Sequence, residues 1–595
     1  MSKVNRTRFA RTLQSARSSC VLPVRLLGKS ILLSLLVCHG AGVQADVPNV
    51  RRPDAGSLLN QTTPPGPEPT LPSSTLPALR DEEAESAGKE GVRIKVSRFA
   101  IEGASLLPAE QLQANLSDLV GQELGLPGLR KAAARITGLY REQGYFLARA
   151  YLPTQDIVDG VVRIAVVEGR YDAVEAGGSS RLAQQHAQGI LTAHQVVEGQ
   201  PIERSSLERS LILLEQRSGA PVQAVMQPGA TVGTSHMVIE APSGPLFSGQ
   251  LGADNYGNRY SGQNRATALL NLNSPRGVGD VASLWLMKSS DSDAVFAAYQ
   301  TPVGYHGLTL GASYSQFNYQ LCCDFAPLEQ KGYAKVFGVQ ARYPLLLTQR
   351  QIVNVGLALE HKHLNDRSIV GELDDKDANV ASLSLDGLAA TLNGQNRYQL
   401  ALAMGDLNIS GPPAYVQANA ATVDTAGRYL KLRGEYQYLH FVDNGHRLLL
   451  RLSGQASDRN LDSSEKFILG GTNGVRAYPE GEAAGDQALL ARADWVIPVP
   501  IQALPGSLSA RLFVDTGTVW LFKDTRGGLA SFGVPNHYNL SGVGFGFNWN
   551  LPKGLTANLE AATKIGNNPG ASAKGNDADG KDNDSRLWLG LGWAY

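Results

Sequence analysis

Leu587-Trp588-Leu589-Gly590-Leu591-Gly592-Trp593-Ala594-Tyr595 is the stretch that decides the fold. Its odd positions, Leu587, Leu589, Leu591, Trp593 and Tyr595, are large and apolar, and Trp588, Gly590, Gly592 and Ala594 between them are mostly small. Successive side chains of a β-strand point to opposite faces. One face of this strand is therefore a broad apolar surface, which suits lipid, and the other faces inward. An aromatic last residue on such a strand is what outer-membrane assembly machinery typically reads, so that machinery is an expected partner during biogenesis.

The pattern repeats upstream. Tyr398, Leu400, Leu402 and Met404 alternate with Arg397, Gln399, Ala401 and Ala403. Leu430, Leu432, Tyr436 and Tyr438 alternate with Lys431, Arg433, Glu435 and Gln437. Runs of about ten residues with this alternation are the signature of an outer-membrane barrel, and sixteen of them fall within residues 246–595. An even number lets a barrel start and end in the periplasm. A soluble sandwich would alternate too, with shorter strands and a polar face turned to water. The expected fold is a membrane β-barrel of sixteen antiparallel strands in outer-membrane lipid of a Gram-negative bacterium.

Residues 1–45 hold seven Lys/Arg and no acid, then an apolar run from Ile31 to Val37 and Val43-Gln44-Ala45 before Asp46. That is a signal-peptide pattern, and the apolar run is far shorter than the roughly 20 residues of a spanning helix. The whole chain carries 54 cations and 54 anions. Removing seven cations leaves 47 against 54, a net of −7, which argues against a nucleic-acid partner. Beyond the leader only Cys322 and Cys323 remain, so neither a disulfide framework nor a cysteine zinc site is expected. Whether those two adjacent thiols pair is open, and no cofactor or metal is expected.

Residues 46–62 contain one short helical stretch, Asp54 to Gln61. An isolated helix of that length is marginal in water, so it is either disordered or docked as a plug. Residues 63–92 form a linker with six prolines between Thr62 and Arg80, extended and semi-rigid. Thirty such residues span about 90 Å. Residues 93–170 and 171–242 each carry a β-α-α-β-β pattern. In the first, Leu129, Ala133, Ile136 and Tyr140 mark a helix face that Gly144 stops. In the second, Ser205 and Glu208 suggest a capping box, and Gly219 ends the helix.

Two segments within the barrel region carry an isolated charge each. Gly470-Gly471-Thr472-Asn473-Gly474-Val475-Arg476-Ala477-Tyr478 is a glycine-rich loop with one cation, and Phe513-Val514-Asp515-Thr516-Gly517 is a strand with one anion. Leu508, Ala510, Leu512 and Val514 form the lipid face there, so Arg511, Phe513 and Asp515 point into the lumen. On the preceding strand Leu489, Trp495 and Ile497 face out, leaving Arg492 and Asp494 inward, so that Arg511, Arg492 and Asp494 are possible competing lumen charges. Asp515 can pair with Arg476, or with Arg511 or Arg492 as ordinary lumen lining.

Leader, proline-rich linker, two modules, sixteen strands and the Val475-Arg476-Ala477-Tyr478 loop together resemble the TpsB transporters of two-partner secretion, in the Omp85 superfamily with haemolysin activators and the filamentous haemagglutinin transporter. The stretch from Gly144 and Tyr145 through Pro153 and Gln155 is similar to that family's first POTRA domain. The resemblance implies two periplasmic α/β POTRA-like domains, a long inward loop at 458–486, and an Arg476–Asp515 lock between the loop motif Val475, Ala477, Tyr478 and the strand motif Phe513, Gly517. The family usually has glycine where this chain has Ala477, a residue with narrower backbone freedom. The implied function is a pore that recognises an unfolded TpsA-type exoprotein (adhesin, haemolysin or toxin) in the periplasm and passes it to the surface without nucleotide hydrolysis. A barrel-assembly factor of the same superfamily is the alternative, usually with more POTRA repeats. No catalytic constellation such as G-x-S-x-G or H-E-x-x-H is present, so the chain is not expected to be an enzyme.

Overall fold

The computed structural model describes residues 52–62, 64, 70–74, 76, 92–177, 181–501, 504–526 and 533–595. The leader at 1–45 and most of the linker at 63–92 lie outside them. Sixteen antiparallel strands close into one barrel, each hydrogen-bonded to its sequence neighbours, with the last, Ser585–Ala594, paired to the first, Phe247–Asp254. The lipid face is the one the alternation predicts: Leu400, Leu402, Met404, Leu430, Leu432, Leu512, Leu587, Leu589, Leu591 and Trp593 all point outward and exposed. Closure removes every sheet edge, so the backbone donors and acceptors are satisfied within the wall.

The two preceding domains are built alike. In the first, strands Arg98–Glu102, Val161–Val167 and Arg149–Tyr151 form a sheet in that order, covered by helices Ala109–Leu116 and Leu126–Glu142. Leu129, Ala132, Ala133, Ile136 and Tyr140 are its buried helix face. In the second, the sheet order is Arg170–Gly177, Thr234–Glu240, Gln223–Pro228, under helices Gln184–Ala193 and Arg204–Ser218. Gly219 closes the latter helix in the left-handed region, at φ 74°.

The capping box expected at Ser205 and Glu208 does not form. Glu203 is the N-cap, with no side-chain cap bond. Glu208 instead accepts the Gln349 N–H at 2.6 Å, on the periplasmic turn between the sixth and seventh barrel strands. A tertiary partner has taken the carboxylate that local geometry offered to the helix end. The same turn also fixes the linker, because Gln349 Nε2 donates to the Ser74 carbonyl at 2.7 Å. Glu215 accepts the backbone N–H groups of Ser73 at 3.0 Å and Ser74 at 2.9 Å. This part of the linker is thus held at the periplasmic mouth rather than free.

Helix Ala55–Gln61 lies inside the barrel. Asp54 and Ser57 cap it reciprocally, and Ala55 and Leu58 pack with Trp285, Met287, Phe317, Tyr319 and Leu364. A seven-residue helix that is marginal alone becomes ordered by that apolar contact. Cys322 and Cys323 are free thiols on an extracellular loop.

Candidate functional site in the barrel lumen

The long loop 458–486 folds inward rather than outward. Its stem is a pair of two-residue strands, Phe467–Ile468 and Ala484–Gly485. Between them the chain reverses: Val475 N–H donates to Leu469 O at 2.7 Å and Tyr478 N–H to Val475 O at 3.1 Å. Glycine is required at Gly474, where a Cβ would meet Leu469 O at 2.0 Å. The turn delivers Val475, Arg476, Ala477 and Tyr478 fully buried against the wall.

Arg476 meets the wall through its whole side chain. Nη2 donates to Asp515 Oδ1 at 2.7 Å and Nε to Asp515 Oδ2 at 2.9 Å, a two-point grip on one carboxylate. The Arg476 backbone N–H adds a third contact to Asp515 at 3.1 Å. Nη2 also reaches Asp494 at 2.6 Å and Nη1 reaches Glu560 at 3.3 Å. The guanidinium stacks on Phe513, 3.5 Å from the ring centroid, where the negative face of the ring attracts a cation. Trp588 Nε1 fixes the Arg476 carbonyl at 2.8 Å. Charge-assisted bonds of this kind are stronger than neutral ones, and two-point geometry adds directional specificity.

Each residue of the strand motif has one task. Phe513, Asp515 and Gly517 share the lumenal face by period two: Phe513 stacks, Asp515 binds, and Gly517 leaves room. A Cβ on Gly517 would sit 2.4 Å from Leu469 Cδ1. On the next strand, a Cβ on Gly542 would lie 2.6 Å from the Ala477 methyl. The alanine that stands where glycine is usual therefore fits because its methyl occupies the space Gly542 leaves. Ala477 is not among the positive-φ residues, so its backbone makes no demand for glycine.

The competing lumen charges take distinct places. Arg511 donates to Glu560 at 2.7 Å, away from Asp515. Arg492 does share Asp515, with Nε 3.4 Å from Oδ1, and donates to Thr472 O at 3.2 Å. Asp494, taken from sequence as a competing charge, is a direct partner of Arg476. Three cations and three carboxylates interlock. Sequence reasoning missed Glu560 as a member and Trp588 as the carbonyl's donor. Strand phase places Trp588 inward but cannot say what it meets there.

A second cluster holds the N-terminal helix. Asp366 accepts the Ala55 N–H at 3.0 Å, Asp54 accepts the Ser463 hydroxyl at 2.8 Å, and Asn60 donates to Lys466 O at 2.5 Å. Lys376 lies 3.0 Å from Asp462, 3.2 Å from Asp374 and 3.8 Å from Asp54.

The first-domain motif is structural. Gln155 exchanges two hydrogen bonds with Arg163, each 2.7 Å, pinning the segment after Pro153 to the central strand. Tyr145 packs edge-on to Tyr140, with centroids 6.2 Å apart. Gly144, at φ +94°, passes its carbonyl to the Arg204 N–H at 3.0 Å, joining the two domains. Beside that joint Glu168 receives Tyr140 Oη–H at 2.9 Å, Leu106 N–H at 2.7 Å and both donors of Ser105. Burial alone would raise the Glu168 carboxyl, but these hydrogen bonds prevail and hold it below the usual carboxylate range.

A closed sixteen-strand barrel with an inward loop and two POTRA-type domains before its first strand defines an outer-membrane barrel protein, its POTRA domains in the periplasm. The family model of the haemolysin secretion/activation proteins ShlB/FhaC/HecB matches residues 233–548, and the chain belongs to that family, the TpsB transporters of two-partner secretion. The ShlB-type POTRA model matches residues 94–169. Among curated relatives, the heme/hemopexin transporter HuxB of Haemophilus influenzae is 24% identical, covering 81% of this chain and 85% of its own length. The hemolysin transporter ShlB of Serratia marcescens is 23% identical, covering 74% and 78%. The solved structure of CdiB from Escherichia coli superposes with a TM-score of 0.70 at 20% identity, covering 87% of this chain and 93% of that one. The protein is an outer-membrane pore that secretes a partner protein.

Proposed function

We propose that the resting pore is held shut by two separate obstructions, the Arg476 loop and the N-terminal helix, and that secretion requires the loop's charge lock to be intact. The exported partner is an extended exoprotein of the adhesin, haemolysin or toxin kind, in keeping with relatives that are named as hemolysin and heme/hemopexin transporters. It is captured in the periplasm by strand addition to a free POTRA edge, where backbone hydrogen bonds give affinity with little demand on sequence. Gln223–Pro228 is such an edge, and Val225 on it is exposed. Transport draws its direction from the partner folding outside, and the chain acts as a transporter rather than an enzyme.

The observation that carries this reading is the complete burial of Arg476 between Asp494, Asp515 and Glu560. Removing one member of a buried pair leaves the other uncompensated and costs about 3–5 kcal/mol. Arg476→Ala and Asp515→Ala are each expected to leave an assembled, heat-modifiable barrel that no longer secretes its partner. Both are measured by immunoblot of medium against outer membrane. Normal secretion by either variant rejects the lock.

A further inference from the structure

The seventh barrel strand, Gln351–Ser368, and the eighth, Gly371–Thr391, run well past the length needed to cross the membrane. On the seventh, Leu357 and Leu359 point to lipid, and period two carries His361 and His363 onto the same outer face, nearer the extracellular tip. On the eighth, Leu383 and Leu385 point to lipid, and Asn379, Asp377 and Asp375 share their phase. The register places His363 opposite Asp377 and His361 opposite Asn379. Two imidazoles and two carboxylates are thus gathered on the outside of the barrel, beyond the apolar band and remote from the lumen.

His363, Asp375 and Asp377 have the spacing of a coordination shell, and His361 stands beside them. His363 Nδ1 is 3.0 Å from Asp377 Oδ1 and 3.6 Å from Asp375 Oδ1, and His361 Nε2 is 3.7 Å from Asp377 Oδ1. Among the described residues, His363, Asp375 and Asp377 form the one group whose ligand atoms converge in this way. Bonds of about 2.0–2.2 Å to a tetrahedral zinc place its ligand atoms roughly 3.3–3.5 Å apart, the middle of the observed range. The outer contacts also fit. His363 Nε2 is held by Tyr333 Oη at 3.1 Å and His361 Nδ1 by Asn379 Oδ1 at 2.9 Å. Contacts of that kind orient a ligating imidazole and fix its tautomer. In both rings the remaining nitrogen faces Asp377. Lys335, directly opposite His363 on the sixth strand, lies over the Tyr333 ring at 4.8 Å rather than on the carboxylates.

We propose that His363, Asp375 and Asp377, with His361 flanking Asp377, form an extracellular site for a divalent transition cation, with Zn²⁺ as its representative, which clips the seventh strand to the eighth above the lipid. Imidazole nitrogen selects such ions over Ca²⁺ and Mg²⁺, which favour all-oxygen shells. The test uses the full chain, purified in detergent without a histidine tag and titrated calorimetrically with Zn²⁺ and, separately, with Ca²⁺. One Zn²⁺ per chain is expected, with affinity lost in His363→Ala and in Asp377→Asn. Tyr333→Phe should weaken binding by about tenfold, and Co²⁺ should give the intense visible absorption of a tetrahedral complex. Absence of saturable Zn²⁺ binding overturns the proposal, as does binding that survives His363→Ala or Ca²⁺ binding of equal strength. The position lies on the outer face, so unheated electrophoresis confirms that each variant barrel is folded.

Discussion

The loop tip and the N-terminal helix both occupy the lumen, yet they are held in different ways. At the tip, Arg476, Arg492 and Arg511 face Asp494, Asp515 and Glu560, and Arg476 is fully buried. The loop is also covalently anchored to a barrel strand at each end. The helix is seven residues long and enters from one side only. The cation paired with its cap residue, Lys376, is shared among Asp374, Asp462 and Asp54, and the helix's own Asp54 is the most distant at 3.8 Å. Buried charge networks are stable when every member is matched, and a lysine shared by several carboxylates is a weaker hold. The helix is therefore the obstruction expected to leave readily, and the loop the one that stays.

Deleting residues 46–62 should break the comparison most visibly. It removes the helix without touching the loop lock, and conductance of the purified protein in a planar bilayer should rise several-fold. An unchanged conductance would assign the whole obstruction to the loop. Lys376→Met is a milder version: it leaves Asp54, Asp374 and Asp462 without their cation, a loss of about 3–5 kcal/mol for a buried partner. Long openings should then become more frequent in single-channel records, while secretion continues.

Away from the lumen, Glu168 tests whether the joint between the two POTRA domains is as firmly set as the loop tip. Its carboxyl is depressed in the folded state, so its contribution is present above the unfolded value and is lost as pH falls through the folded one. Limited proteolysis between the domains should increase at acidic pH. Glu168→Gln should show the increase already at neutral pH and lose much of the pH dependence. The smallest effect is expected from Trp588→Phe, which removes one neutral hydrogen bond to the Arg476 carbonyl, worth about 1 kcal/mol. Secretion should fall only slightly, and a loss as deep as that of Asp515→Ala would mean that the indole, not the carboxylates, sets the loop position.

The barrel was legible because period-two alternation is a local property. Leu587, Leu589 and Leu591 announce their lipid face from adjacent positions, and the strand count follows by repetition. The site was legible in part. Phase alone turns Asp515, Arg492, Asp494 and Arg511 into the lumen, but phase is silent about distance across it. That is why Asp494 counted only as a competing lumen charge when it is a partner of Arg476, and why Glu560 went unnoticed. The capping box failed for a related reason, since Gln349 lies far along the chain from Glu208 and no local rule weighs it.

The sequence by itself determined the strands, their lipid face, the two α/β modules and the inward direction of each wall charge, because alternation and helix faces depend only on near neighbours. Tertiary structure alone decided which cation meets which carboxylate, that Gly542 makes room for Ala477, and that His363 stands opposite Asp377. Those outcomes depend on register and on closure of the ring, which bring together residues whose separation along the chain carries no information about their distance in space.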